Sequence, residues 1–428
     1  QLQGLVAEGK VDISVIDDSV KRILGVKYDL GLFEDPYKYC DLEREENVIG
    51  SKENNLAALD MAKKSIVLLK NESSLLPIKK KGQKIALIGH LANDNNSPLG
   101  NWRGAADSNT AVTVLKGLEN YGSNSITYRK GVDLYYGETN FHNRVKLNHT
   151  DRTGFKAAKI AAKSADVVIM VLGEEGFQSG EGRSRTELGL PGLQQELLEE
   201  VFKVNKNIVL VLMNGRPLNL TWADQNIPTI VEAWHLGTQS GNAIAEVLYG
   251  NYNPSGKLTM SFPRNVGQVP LYYNYKKTGR PGASSAEVTR STYADVENSP
   301  LYPFGYGLSY TSFEYSDLTI SSDEISRGDV IKASVKITNT GKLKGKDVVQ
   351  MYIRDHYGSL ARPVKELKGF ELVELNPGET KEVSFEIDNS NLIYYTANDR
   401  WESEIGKFSV FIGGDSDVKN NKSFDLIN

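Results

Sequence analysis

Three uninterrupted apolar runs, at residues 84–89, 166–173 and 207–213, limit what this chain can become. Each is short, rich in Val, Ile and Leu, and lacks the polar alternation of a strand with one wet face. Such runs belong to strands covered on both sides, as in a mostly parallel sheet between two layers of helices. Helical patterns lie between them at 154–164, 192–204 and 240–248, so strand and helix alternate over about 52–260. A further helix is expected at 54–70, running into Ile66, Val67, Leu68 and Leu69. Ligands of such sheets gather beyond the carboxyl ends of the strands. Those ends fall at His90, from Gly173 onward, and at Asn214-Gly215-Arg216.

Beyond residue 310 the period changes to two. Ala333, Val335 and Ile337 alternate with polar neighbours, as do Val349, Met351 and Ile353, then Val383, Phe385 and Ile387, and finally Phe408, Val410 and Ile412. Asn339-Thr340-Gly341 and Asn376-Pro377-Gly378 mark turns between them, which describes an antiparallel β-sandwich. The stretch 264–310, rich in Tyr, Pro and Gly, connects the two layouts.

Residues 12–30 form an amphipathic helix pattern. Ile13, Ile16, Val20, Ile23 and Leu24 share one face, Asp12 can cap the start and Gly31 ends it. The 11 residues ahead of it are too few to cover that face, so its apolar partner lies elsewhere; an uncovered stripe makes this helix the first suspect in any homodimer. The opening Gln1-Leu2-Gln3-Gly4-Leu5-Val6 has neither an initiator Met nor a signal-peptide pattern. It reads as part of a helix, and the chain is expected to be cut from something longer. The resulting division is 1–50, helix and linker; 51–263, α/β domain; 264–310, connector; 311–428, sandwich.

The 428 residues carry a formal net charge of −4, with Lys and Arg scattered rather than striped, so nothing favours nucleic acid or an anionic membrane surface. No run of eighteen apolar residues offers a membrane span. Cys40 is the one cysteine and the five histidines show no metal-ligand spacing, so neither a metal nor another cofactor is expected.

The segment 173–185, Gly-Glu-Glu-Gly-Phe-Gln-Ser-Gly-Glu-Gly-Arg-Ser-Arg, holds the densest chemistry. It leaves a buried strand at its carboxyl end with four glycines, three carboxylates and two arginines. Glu181 stands between Gly180 and Gly182, free to follow whatever turn presents it. A solvated surface turn is the plain alternative. Glu174 and Glu175 are the runners-up to Glu181, but they adjoin the strand end and are equally suited to holding the loop. Trp102, in Gly100-Asn101-Trp102-Arg103-Gly104, can stack on the flat face of a ligand or pack structurally. Asn214-Gly215-Arg216 reads as a turn held by Asn and Gly, and His90 as a loop histidine.

The loop resembles the acid/base loop of glycoside hydrolase family 3, in which a Gly-Glu-Gly element follows a strand of the second domain. Further stretches resemble the same family in order and spacing. Residues 17–33 look like the last helix of its N-terminal barrel and the exit from it. Residues 62–77 are similar to the entry into the second domain; 251–258 and 302–310 are also family-like; and the sandwich, with Arg362-Pro363-Val364-Lys365-Glu366, resembles the family's fibronectin type III-like domain. Together they cover nearly the whole chain.

The resemblance implies a retaining β-glucosidase. In that reaction a carboxylate attacks the anomeric carbon while a carboxylic acid about 5–5.5 Å away protonates the leaving oxygen. It makes Glu181 the acid/base, with Arg183 and Arg185 able to fix the loop or reach a sugar hydroxyl; both are expected to turn away from Glu181, because a guanidinium beside it would favour its charged form. The family's nucleophile is an Asp in a Ser-Asp-Trp-like motif late in a (β/α)₈ barrel. No such motif occurs here, so the missing barrel is the implied partner and this chain alone is expected to be inactive. A β-glucoside or oligosaccharide is the implied substrate, with xylosidase specificity open, and the likeness to bacterial periplasmic enzymes implies a periplasmic or secreted location. The rival reading is a non-catalytic carbohydrate-binding or interaction protein of the same architecture.

Overall fold

The computed structural model describes residues 1–104, 106–281 and 289–428, so part of the 264–310 connector, 282–288, lies outside the described residues. Two compact units emerge, Gln1–Ala57 and Ala58–Asn428.

The first unit contains helices α1 (Leu2–Ala7), α2 (Ile13–Asp29) and α3 (Leu42–Val48). Asp12 caps α2, accepting the Ser14 N–H at 2.8 Å. No residue of α2 is buried, and Ile13, Val20, Ile23 and Leu24 are all exposed, so its apolar stripe is bare. Cys40 is free and exposed.

The helix expected at 54–70 is shorter. It spans Lys52–Ser65 (α4), and the apolar tail becomes strand β1 (Val67–Asn71). Ile66, Val67, Leu68 and Leu69 are buried on all sides, which an amphipathic surface helix does not permit, and β1 instead takes an edge of the main sheet.

That sheet has six strands in the order β1-β6-β5-β4-β2-β3, where β2 is Lys81–Ile88, β3 Ser123–Arg129, β4 Val167–Gly173, β5 Ile208–Met213 and β6 Thr229–Glu232. All neighbours are parallel except β1 with β6. The three runs noted in the sequence are the central strands β2, β4 and β5. Successive side chains of each go to opposite faces. Val168, Met170 and Leu172 with Ile208, Leu210 and Leu212 meet Phe155 and Ala158 of helix α6 (Phe155–Lys163) and Leu197 and Val201 of α7 (Gln194–Phe202). Val167, Ile169 and Val171 with Val209 and Val211 meet Val114 and Leu118 of α5 (Val114–Tyr121). On the same face they meet Ile244, Val247 and Leu248 of the helix Ser240–Leu248. Burial of each such side chain contributes about 1.5–3 kcal/mol, so both faces of the sheet hold helices by the same force.

The sandwich pairs a three-stranded sheet with a five-stranded one. The first has the order β12 (Thr380–Ile387), β9 (Ile331–Asn339), β7 (Phe313–Ile320). The second runs β8 (Glu324–Ile325), β14 (Asn421–Leu426), β13 (Gly406–Gly413), β10 (Gly345–Asp355), β11 (Glu366–Leu375). Ala333, Val335 and Ile337 face Met351, Ile353, Val410 and Ile412 in one core. An ion pair between Lys257 and Asp347 (2.7 Å) and the Asn253 side chain on the Lys344 carbonyl (3.0 Å) tie the sandwich to the chain leaving the α/β layer.

Candidate functional site

At the carboxyl ends of β4, β5 and β6 the chain buries charge and gathers partners around it. Strand β4 stops at Gly173, where the Gln194 side chain takes both backbone groups: its Oε1 accepts the Gly173 N–H at 2.9 Å and its Nε2 donates to the Gly173 carbonyl at 2.7 Å. Glu174 follows, fully buried. Its Oε1 lies 2.8 Å from Arg185 Nη1 and 3.0 Å from Arg216 Nε, and the Gly215 N–H donates to Oε2 at 3.3 Å. A carboxylate removed from water needs such company, since leaving it alone costs several kcal/mol.

Glu175, also fully buried, caps the single turn Gly176–Gln178. Its carboxylate accepts the Phe177 N–H at 2.7 Å while Gln178 Oε1 accepts the Glu175 N–H at 2.8 Å, a reciprocal capping box. Burial pushes the Glu175 carboxyl above its usual range. At the end of β6, Glu232 is buried completely and pushed up to about 8, with the Trp234 N–H at 2.9 Å and Asn214 Nδ2 at 3.1 Å as its contacts. It therefore keeps its proton at neutral pH. Burial also pushes the His235 ring down, so the imidazole is neutral; its Nε2 sits 3.3 Å from the Glu174 carbonyl, a geometry that suits the Nε2–H tautomer.

Above this buried layer rides the loop with Glu181. Its turn is closed by the Arg183 N–H on the Gly180 carbonyl at 3.2 Å. Glu181 is exposed, and no hydrogen bond or ion pair engages its carboxylate among the described residues. Gly180 has φ +107°, and a Cβ there would stand 2.0 Å from Asn101 Nδ2, so only glycine fits. Gly215 serves the same packing from below: a Cβ on it would meet Ser179 Oγ at 2.0 Å.

Arg216 reaches up from the β5 end. Its Nη2 donates to the Gln178 carbonyl at 2.5 Å and to the Arg183 carbonyl at 2.8 Å. The Asn101 amide donates to the Ser179 carbonyl at 2.7 Å, which brings the Trp102 loop against the Glu181 loop. Trp102 itself is 70% exposed. Arg183 is half-buried, and its Nη2 donates to the Phe141 carbonyl, while Arg185 is engaged by Glu174; neither guanidinium pairs with Glu181. His90 lies apart, near Asp133 and the Leu134 N–H.

Three parts of this assembly escape a reading of the sequence. Arg216 passes for a turn residue, Asn101 for filler beside Trp102, and Glu232 for no site at all. The available signal is a polar residue closing an apolar run: Glu232 ends Thr229–Glu232, and Asn214 and Arg216 follow Met213. Among the described residues no cluster of three His, Cys, Asp or Glu side chains suits a metal ion, and no helix is long and apolar enough to cross a membrane.

Residues 66–310, more than half of the chain, match the glycosyl hydrolase family 3 C-terminal domain. The chain belongs to glycoside hydrolase family 3. Residues 347–416 further match a fibronectin type III-like domain. Among family 3 relatives, the chain is 45% identical to the periplasmic beta-glucosidase of Salmonella typhimurium over 100% of its own length and 57% of that protein. It is 38% identical to a beta-xylosidase of Formosa agariphila, over 99% of the chain and 57% of the relative. The beta-glucosidase of Listeria innocua superposes with a TM-score of 0.89 at 36% identity, again over 100% of this chain and 57% of that one; a mutant of it has been solved in complex with laminaribiose. The chain thus spans a little over half the length of these family 3 proteins.

Proposed function

We propose that this chain forms the acid/base half of a retaining β-glucosidase that removes terminal, non-reducing β-D-glucosyl residues, with Glu181 as the acid/base. The nucleophile, in this reading, stands on a (β/α)₈ barrel supplied outside these 428 residues. The observation that carries it is the division of labour among the three carboxylates of one loop. Glu174 is locked by two arginines, Glu175 caps a turn, and Glu181 alone is held out on a braced turn with its oxygens uncommitted. A proton donor must be positioned yet within reach of a substrate, and of the three only Glu181 is exposed.

In the first step Glu181 gives its proton to the glycosidic oxygen as the barrel carboxylate bonds to the anomeric carbon and the aglycone leaves. In the second, Glu181 takes a proton from water as the water oxygen displaces that carboxylate, returning glucose with retained configuration. On this chain Glu181 faces solvent, so the opposite wall of the cleft, and the exclusion of water, fall to the barrel. The exposed Trp102, on the loop tied to Ser179, is placed to stack on a sugar; Arg183 serves the loop before it serves a substrate. The bare stripe of α2 is the surface proposed to meet the barrel, or a second copy where a homodimer forms. The division at 1–50, 51–263, 264–310 and 311–428 and a periplasmic or secreted location belong to the same reading, the latter supported by the Salmonella relative. The beta-xylosidase relative keeps a pentosyl substrate in view as the second specificity.

The test is hydrolysis of an aryl β-glucoside by the chain joined to its barrel, against the Glu181→Ala variant. Loss of an acid/base residue is expected to lower the rate about 10²–10⁴-fold. Azide, which needs no base, should restore part of it. A variant as fast as the parent refutes Glu181, and a barrel-joined parent without hydrolytic activity favours the non-catalytic sugar-binding reading.

A further inference from the structure

We infer that Arg216 is a positioning residue for Glu181: one guanidinium staples both stems of the acid/base loop to the end of β5. This rests on the reading of Glu181 above and adds to it the part that sets where the carboxyl stands.

Only residues 179–182 lie between the stems at Gln178 and Arg183, and they include Gly180 and Gly182, both at positive φ. The turn keeps one internal bond, the Arg183 N–H on the Gly180 carbonyl, and one tie from outside, the Asn101 amide on the Ser179 carbonyl. Its two stems, however, end on one hydrogen-bonding group. Arg216 Nη2 donates to the Gln178 carbonyl, before the turn, and to the Arg183 carbonyl, after it. The Nε of the same guanidinium lies 3.0 Å and 3.2 Å from the two oxygens of Glu174. Three hydrogen bonds and an ion pair hold one planar fork, which restricts its freedom to swing. Glu174 is held in turn by Arg185 and sits directly after the last residue of β4, so the staple is anchored to the sheet and not to another loop. A lysine would offer three donors on a flexible stem and could not span this set.

The consequence is specific to proton transfer. Releasing the stems lets the carboxyl of Glu181 wander by about an ångström or more, and misplacement on that scale costs a reacting group about a hundredfold in rate. It should do so only where a proton must be delivered. A glucoside whose leaving group is a poor one, such as an alkyl β-glucoside, needs the acid in the first step; a dinitrophenyl β-glucoside does not.

The experiment measures both substrates with the barrel-joined protein and its Arg216→Lys, Arg216→Met and Glu181→Ala variants, with thermal unfolding of each. Arg216→Met leaves Glu174 paired one-to-one with Arg185, and Arg216→Lys keeps a positive charge while losing the fork, so either variant can report if the other fails to fold. In the folded Arg216 variants kcat/KM for the alkyl glucoside should fall about a hundredfold, that for the dinitrophenyl glucoside less than about threefold, and azide should accelerate turnover of the latter as in Glu181→Ala. Equal losses on both substrates, or none on either, overturn the inference. If Glu181→Ala itself shows no dependence on the leaving group, the reading of Glu181 falls first and this inference with it.

Discussion

The α/β layer and the sandwich bury ionisable groups in opposite styles. At the carboxyl ends of β4 and β6 three glutamates are withdrawn from water completely, Glu174 as a charge between two arginines and Glu232 with its proton on. In the sandwich the deep acids each take one cation. Asp347 takes Lys257 from the preceding segment, and Asp355 takes Arg362, whose guanidinium also lies 3.7 Å from the centre of the Tyr394 ring. One region uses its buried charge to shape a loop beyond the sheet, the other to fasten a fold together. Buried polarity costs stability wherever it occurs, so its concentration beyond one sheet edge marks the place where shape matters more than stability.

Breaking the shared carboxylate should show the largest effect. Glu174→Ala leaves two guanidiniums without their counter-ion and is expected to destabilise the protein by about 3–5 kcal/mol in denaturant titration. An unchanged midpoint would mean that water enters and that the site is not buried. Leu210→Ala, in the centre of β5, is expected to cost about 2–5 kcal/mol through the cavity it opens, without the change in net charge.

The pH dependence separates the regions by sign. The folded carboxyl of Glu232 is raised, to about 8 against 4.5, so the folded state holds a proton that the unfolded state has released. Its contribution is whole below about 4.5 and is lost as pH climbs toward 8, at about 1.4 kcal/mol per pH unit. In the sandwich, burial lowers Lys365 to about 8 from 10.5. There the unfolded state holds the extra proton, so that contribution grows from about pH 8 to about 10.5 and is lost on the way back down. Urea midpoints of parent, Glu232→Gln and Lys365→Met across about pH 5–10 should therefore diverge in opposite directions; parallel curves would mean that neither group is titrating out of its buried form. The smallest effect belongs to the exposed pair Lys381 and Glu371, 2.8 Å apart, where Lys381→Ala should shift stability by about 0–1 kcal/mol and less in high salt.

The sequence discloses this architecture unevenly, for physical reasons. Strands β2, β4 and β5 are legible because burial on both faces removes polar residues from their central runs. The strands with one wet face are legible in the sandwich, where Ala333, Val335 and Ile337 alternate cleanly. They are not at β3 in the α/β layer, where Ser123, Ser125 and Thr127 leave too little apolar contrast. The 66–69 run reads as helix because four apolar residues after a helix look like its continuation; pairing with β6 decides otherwise. Glu181 stands out because two glycines flank it. Arg216 does not, since what matters is the set of carbonyls it reaches, and those belong to residues 33 and 38 positions earlier.

The clasp of Gln194 on Gly173 carries an implication for how this loop can vary. Because a side chain occupies both hydrogen-bonding groups of the last strand residue, β4 is sealed at a fixed point, whatever comes next. Residues inserted or deleted between Gly176 and Leu188 would not feed back into the register of the sheet. A lineage of such proteins can therefore retune the reach of its proton donor, and with it the leaving groups it tolerates, without renegotiating its core.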